Sequence, residues 1–293
     1  MERLISMEVK NSLVNKEPKQ TFSAFLATDA MKKKINEMVG GKDGQQFVTA
    51  IISAVSTNPQ LAECENSSIV SAALLGQALK LSPSPQLGQY YIVPFNNNDR
   101  GCKVAQFQLG YKGYIQLAIR SGQYKKINVL AIKEGELIEY DPLNEEIKVN
   151  LIEDEELREQ AETIGYYAMF EYMNGFRKTI YWTKQKMEAH ALKYSKGYKA
   201  KKGYTFWEKD FDGMAYKTML RQLISKWGIM SVDMQTAMEK DMAVIKENGD
   251  YEYIDNNSNE IDVVSNEKSN EEKVEIQENV NEKKEEYEDP FLN

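Results

Sequence analysis

The 293 residues contain one histidine, His190, and two cysteines, Cys64 and Cys102. Neither a disulfide framework nor a Cys-x-x-Cys or Cys/His metal knuckle can be built from so few, so the composition suits a reducing compartment and His190 reads as a packed or surface residue. No run of about 18 consecutive apolar residues occurs, and no basic opening segment leads into an apolar one. The expectation is a folded cytoplasmic protein that is neither secreted nor membrane-spanning. The G-x-x-x-x-G-K-[ST] spacing of a P-loop is also missing; Gly40-Gly41-Lys42 lacks both the spacing and the hydroxyl, which argues against a nucleotide-driven motor. No nucleophile stands beside a recognisable base. The acidic run Glu153–Glu156 could hold Mg²⁺, but consecutive acids on a polar segment read as solvated. No enzyme, metal or cofactor is therefore expected.

Charge is unevenly spread. The formal net charge is −8, yet from Glu247 onward about 16 acids face about 4 bases, which leaves about +4 for the rest. Within that basic portion, Arg100–Lys133 carries about seven bases and no acid, Glu134–Glu171 is acidic, and Arg177–Lys226 has about thirteen bases to four acids.

The pattern predicts an α+β fold. Residues 1–25 are polar and read as a loose amino-terminal segment. ATDAMKKKINEMVG and GQQFVTAIISAVSTNPQL read as amphipathic helices ending at Gly40 and near Pro59, and SSIVSAALLGQALKL as a third, capped by Ser67 or Ser68. QYYIVPFNNNDRGCKVAQFQL predicts a hairpin about its Asn-rich turn. A helix within Tyr111–Ser121, a strand around KINVLAIKEGE, a short strand at EIKVNLI and an Asn174–Gly175 hairpin follow, giving a largely antiparallel sheet with one inserted helix. From Lys184 the chain returns to helix, with FDGMAYKTMLRQLISKWGI the clearest one. The folded domain is placed at 26–246. Residues 247–293 are poor in aromatics and rich in Asn, Glu and Lys, and read as a disordered acidic tail.

On a helix of 3.6 residues per turn, Tyr111, Tyr114, Ile115, Ala118 and Ile119 cluster while Lys112, Gln116 and Arg120 line up on the opposite flank. Gly110 precedes the helix, where backbone N–H groups favour an anion, and Lys125 and Lys126 follow it. The donors converge on phosphate, although a solvated flank explains each alone. KYSKGYKAKKGYTFWEKDF then interleaves Lys193, Lys196, Lys199, Lys201 and Lys202 with Tyr194, Tyr198, Tyr204, Phe206 and Trp207. Phosphates favour the cations, and unpaired bases the rings. Gly197 and Gly203 predict a mobile loop there, with Phe206 and Trp207 equally readable as core anchors. Lys217 and Arg221, one turn apart, either extend the phosphate track or form a solvated helix edge.

YYIVPFNN (Tyr90–Asn97), FQLGYKGYIQLAIRSGQYKKI (Phe107–Ile127) and GMAYKTMLRQLISKWGIMS (Gly213–Ser231) together resemble the RecT family of phage and prophage single-strand annealing proteins, over roughly Leu26–Ala243. The resemblance implies ATP-independent binding of single-stranded DNA, annealing of complementary strands in recombination and repair, assembly into rings or filaments, a RecE-type 5′-to-3′ exonuclease as partner, and no nucleotide cofactor. Carried onto this chain, it places Lys112, Gln116, Arg120, Lys125 and Lys126 first in the DNA groove, holding single strand and annealed duplex, with Lys217 and Arg221 second. Tyr198, Lys199, Lys201 and Lys202 rest on charge alone. EEYEDPFLN resembles the acidic Pro-Phe tips by which bacterial single-strand-binding proteins recruit partners, which implies docking on a host partner; competition with DNA and plain solubilising disorder are the alternatives. A passive single-strand protector would share all these features, and an Mg²⁺-dependent nuclease using Glu153–Glu156 is the enzymatic rival.

Overall fold

The computed structural model describes residues 20–97, 101–203 and 205–246, together with the backbone of 251–252. α1 (Phe22–Leu26) begins inside the stretch read as loose, with Phe22 and Leu26 buried. α1 and α2 (Asp29–Val39) are capped by Thr21 and Thr28, whose side-chain oxygens accept from Ala24 N and Met31 N. Gly40, at φ 85°, turns the chain directly into α3 (Gly41–Thr57), which stops just before Pro59 opens a 3-10 turn.

α4 (Asn66–Ala78) is buried at every residue from Ser68 to Gly76, which makes it a core helix with no polar face to present. Gly76 has a steric reason: a Cβ there would come within 2.2 Å of the Tyr90 ring. The serine cap expected for this helix is not made. Glu65 occupies the cap position, while Ser68 Oγ donates to Glu65 O and accepts from Ala105 N at 2.8 Å, tying the helix to the neighbouring strand.

That strand belongs to the predicted hairpin. β1 (Tyr90–Asn97) and β2 (Cys102–Leu109) pair antiparallel from Tyr90 opposite Leu109 to Asn97 opposite Cys102; residues 98–100, within the stretch expected to turn, lie outside the described residues. Pro94 sits in β1 because that strand pairs on one side only among the described residues. α5 (Tyr111–Arg120) is the inserted helix. It leads to β3 (Tyr124–Lys133), β4 (Leu137–Asp141), β5 (Glu146–Val149), α6 (Glu155–Gln160), β6 (Thr163–Tyr172) and β7 (Arg177–Thr183). β6 lies between β3 and β7 in an antiparallel sheet, and Gly175, at φ 87°, makes the turn that Asn174–Gly175 predicts.

The expected sheet is divided into pieces. β4 and β5 form a separate hairpin, and with α6 they make an acidic excursion closed on one buried carboxylate, that of Glu136. Glu136 accepts from Lys133 N (2.8 Å), Ile152 N (3.2 Å) and Arg158 Nε (2.6 Å), and Arg158 also reaches Ala131 O. Burial pushes the Glu136 carboxyl up, but the Arg158 and backbone donors outweigh it and hold it below the usual carboxylate range.

The carboxy-terminal part comprises α7 (Lys184–Tyr194), α8 (Lys196–Lys199), α9 (Phe206–Lys209), α10 (Phe211–Trp227), α11 (Val232–Glu239), β8 (Val244–Ile245) and β9 (Tyr251–Glu252). α10 packs on β3, β6 and β7 and also touches α5. One continuous apolar core runs from Phe22 in α1 to Ile245 in β8, so helices before and after antiparallel strands give the α+β fold. Phe107 N donates to Ala243 O and Met242 N to Phe107 O, which brings Asp241 beside the end of β2. The acidic tail expected over 247–293 falls almost wholly outside the described residues.

Candidate nucleic-acid interface

The glycines of LGYKGYIQLA are required by a close backbone approach. A Cβ at Gly110 would lie 2.2 Å from Gly88 O, and one at Gly113 would lie 2.1 Å from Gln89 O, so the chain entering β1 lies directly on the first turn of α5. Gly110 N donates to Gln89 O at 2.9 Å. Of the N–H groups that sequence reasoning offered to an anion at this end of the helix, that of Gly110 is thus already used by the protein. The same contact orients the helix: Gly113, Tyr114, Leu117 and Ala118 are buried, and Lys112, Gln116, Ile119 and Arg120 are exposed. Ile119, expected to pack inward, is 55% exposed. Lys112 and Gln116 line a cleft of about 300 Å³ with Gln86, Leu87, Gln89 and Ile115.

The remaining predicted residues divide by what holds them. Arg120 is exposed, but its guanidinium donates to Leu79 O at 2.6 Å and Lys80 O at 3.2 Å. It closes the carboxyl end of α4, where Lys80 adopts a left-handed φ of 53°, and a cation at that end is doubly favoured by the orphan carbonyls and the helix dipole. Lys125 pairs with Glu171 across β3 and β6, and Glu171 is held below the usual carboxylate range first by that bond. Lys126 is exposed on β3.

The aromatic-lysine stretch is not the loop its glycines suggest. Ser195 caps α8, and Thr205 and Glu208 form a reciprocal capping box on α9. A Cβ at Gly197 would come within 2.6 Å of Thr205 Cγ2, so Gly197 lets the two short helices close on each other. Lys199, Lys201 and Lys202 are exposed; Tyr204 lies outside the described residues. Tyr198 is half-buried against Trp207 and Phe211, at 6.2 Å from each ring. Trp207, 7% exposed, is the core anchor. Its neighbour Phe206, 37% exposed, points outward with its ring 5.7 Å from that of Tyr91.

Lys217 and Arg221 are placed otherwise than the phosphate track required. Lys217 is 6% exposed and its Nζ donates to Asp241 at 2.9 Å; Arg221 Nη1 donates to the other oxygen of Asp241 at 2.9 Å. Asp241, 2% exposed, also accepts from Leu109 N (2.8 Å) and Tyr114 Oη (3.4 Å). A single carboxylate therefore joins β2, α5 and α10. Burial draws the Lys217 ammonium below the ordinary lysine range, against the pull of Asp241, and burial pushes the Tyr114 hydroxyl upward. Sequence reasoning missed Asp241 because it lies in no motif, 24 residues beyond Lys217. It missed Tyr91 too, although strand alternation with Tyr90 inward already turns Tyr91 out.

His190 packs among the rings of Trp182, Tyr194 and Trp207. Asp154 in the acidic run caps α6 through Leu157 N, and among the described residues no group of three or more His, Cys, Asp or Glu could hold a metal ion. No helix among them is long and apolar enough to cross a membrane.

The RecT family model matches residues 45–258. YqaK of Bacillus subtilis, an uncharacterized protein, is 40% identical over 279 residues, covering 92% of this chain and 90% of its own length. RecT of Escherichia coli K12 is 31% identical over 186 residues, 62% of this chain and 65% of that protein. With the LGYKGYIQLA turn packed as described and the family match spanning most of the fold, the chain belongs to the RecT family of single-strand annealing recombination proteins.

Proposed function

We propose that this protein binds single-stranded DNA along the exposed flank of α5 and anneals complementary strands without ATP. The observation that carries the reading is the Lys112–Gln116 row, held open to solvent beside a cleft by the backbone clamp at Gly88–Gln89. Lys126, Lys199, Lys201 and Lys202 supply further exposed cations, and Arg120 and Lys125 lend charge while holding protein partners. Contacts of this kind go to phosphates and carry no base identity, so sequence matching is left to Watson–Crick pairing between the strands. Protomers assembled side by side into a ring or filament would extend the groove over the annealed duplex. A RecE-type 5′-to-3′ exonuclease would supply the single strand in the cytoplasm, and the acidic tail could recruit a host single-strand-binding protein.

The test is to mix the protein with two complementary oligonucleotides in nucleotide-free buffer. Annealing faster than the spontaneous rate, with none for mismatched strands, is expected. Slower annealing would identify a passive protector, and Mg²⁺-dependent cleavage lost on changing Glu153–Glu156 would identify a nuclease.

A further inference from the structure

Phe206 keeps part of its ring in solvent, 37% exposed and packed on Tyr91, while the adjacent Trp207 fills the core. It is also rigidly placed. Glu208 N donates to Thr205 Oγ1, while the Glu208 carboxylate accepts from Thr205 N at 3.0 Å and Gly203 N at 2.8 Å. Phe206 is the first residue of the helix so capped. Behind it stands Tyr91, tilted 39° to the Phe206 ring and fixed in β1 opposite Gln108. A Cβ at Gly88 would lie 3.1 Å from the Tyr91 hydroxyl and 3.4 Å from Lys112 Cδ, so the ring that backs Phe206 reaches, by its hydroxyl end, the same glycine as the exposed lysine of α5. The acids next to Phe206 are engaged in helix caps, Glu208 on α9 and Asp210 on Gly213 N at 2.9 Å.

From this geometry we infer that Phe206, backed by Tyr91, is a stacking shelf for one unpaired nucleobase, and that it favours single strand over finished duplex. The inference rests on the DNA-binding reading above and adds what the cations cannot supply. A cation holds the phosphates of single and double strands alike, whereas a base inside a duplex already has both faces covered by its neighbours and offers none to a ring. A ring presented on the Lys112 side of the fold therefore selects the unpaired state, and pairing of that base lifts it off the shelf. Stacking tolerates any base, in keeping with a protein that is neutral to sequence.

The experiment has two arms on the full-length protein. In the first, an oligonucleotide carrying 5-iodouracil is photo-crosslinked and the attachment site mapped by mass spectrometry. Crosslinks on Phe206 or Tyr91 with single strand, and their loss with pre-annealed duplex, are expected. In the second, Phe206→Leu keeps an apolar side chain without a ring; it should weaken single-strand binding at least about fivefold, the lower end for one base–ring stack, at unchanged salt slope and unchanged duplex affinity, with Phe206→Tyr restoring it. Bound single strand that crosslinks at neither ring, or a Phe206→Leu variant that loses nothing or loses equally on both substrates, would overturn the shelf while leaving the groove standing. Failure of the wild type to bind any oligonucleotide would overturn both.

Discussion

α5 and α10 present the same pattern in the sequence, polar or cationic side chains four residues apart on a helix flank, and the fold uses them in opposite ways. On α5, Lys112 and Gln116 stay in solvent because the Gly110 and Gly113 surface is pressed against Gly88–Gln89 and Tyr114 is drawn inward. On α10, Lys217 and Arg221 turn inward to the buried carboxylate of Asp241, where the helix meets β2 and α5. The contrast teaches that helical spacing tells which side chains share a face. Whether that face meets water or a distant counter-charge is decided by tertiary packing.

Removing the counter-charge tests the contrast most severely. Asp241→Ala would leave two cations without their shared acceptor and Leu109 N unpaired, and a cost of about 3–5 kcal/mol is expected in urea unfolding. Lys217→Met should cost far less, because Asp241 keeps Arg221, Leu109 N and Tyr114 as donors. Equal losses from the two variants would show that Lys217 is structurally irreplaceable and that the node is less redundant than its geometry indicates.

A second contrast sets the cationic α5 flank against the acidic β4–β5–α6 excursion, whose buried carboxylate, Glu136, is paired with Arg158. Because the Glu136 carboxyl is depressed in the fold, its stabilisation is complete above the unfolded carboxylate value of about 4.3 and is lost as pH falls through the lower folded one. Glu136→Gln should accordingly flatten the acid limb of a melting-temperature profile below about pH 4.3, on top of a constant loss at neutral pH. An unchanged acid limb would remove Glu136 from the account of this region.

Local chemistry was legible in the sequence wherever it is decided locally. The Asn174–Gly175 turn, the amphipathic α5, the β1–β2 hairpin and the carboxyl ends of α2 and α3 follow from turn residues, periodicity and breakers. β4 was not, because LIEYD alternates weakly and only its pairing with β5 makes it a strand. At the site, exposure of Lys112, Lys199, Lys201 and Lys202 followed from charge and spacing. The burial of Lys217, the capping task of Arg120 and the Glu171 partner of Lys125 did not, since each partner lies at least 20 residues away in the chain. Phe206 and Trp207 could not be told apart by composition; tertiary packing against His190, Tyr198 and Phe211 takes Trp207 inward and leaves Phe206 partly exposed.

The smallest effect in energy bears most directly on the central claim. Single-stranded oligonucleotide affinity is titrated against salt for the wild type, Lys112→Ala and Lys217→Met. Arg120 is avoided because its loss would also disturb the end of α4. The account predicts that Lys112→Ala flattens the logarithmic salt slope by about 0.7, one phosphate contact on a single strand, uniformly across sequences, while folded Lys217→Met keeps the wild-type slope. An unchanged slope for Lys112→Ala, or a slope reduced by Lys217→Met, would contradict it.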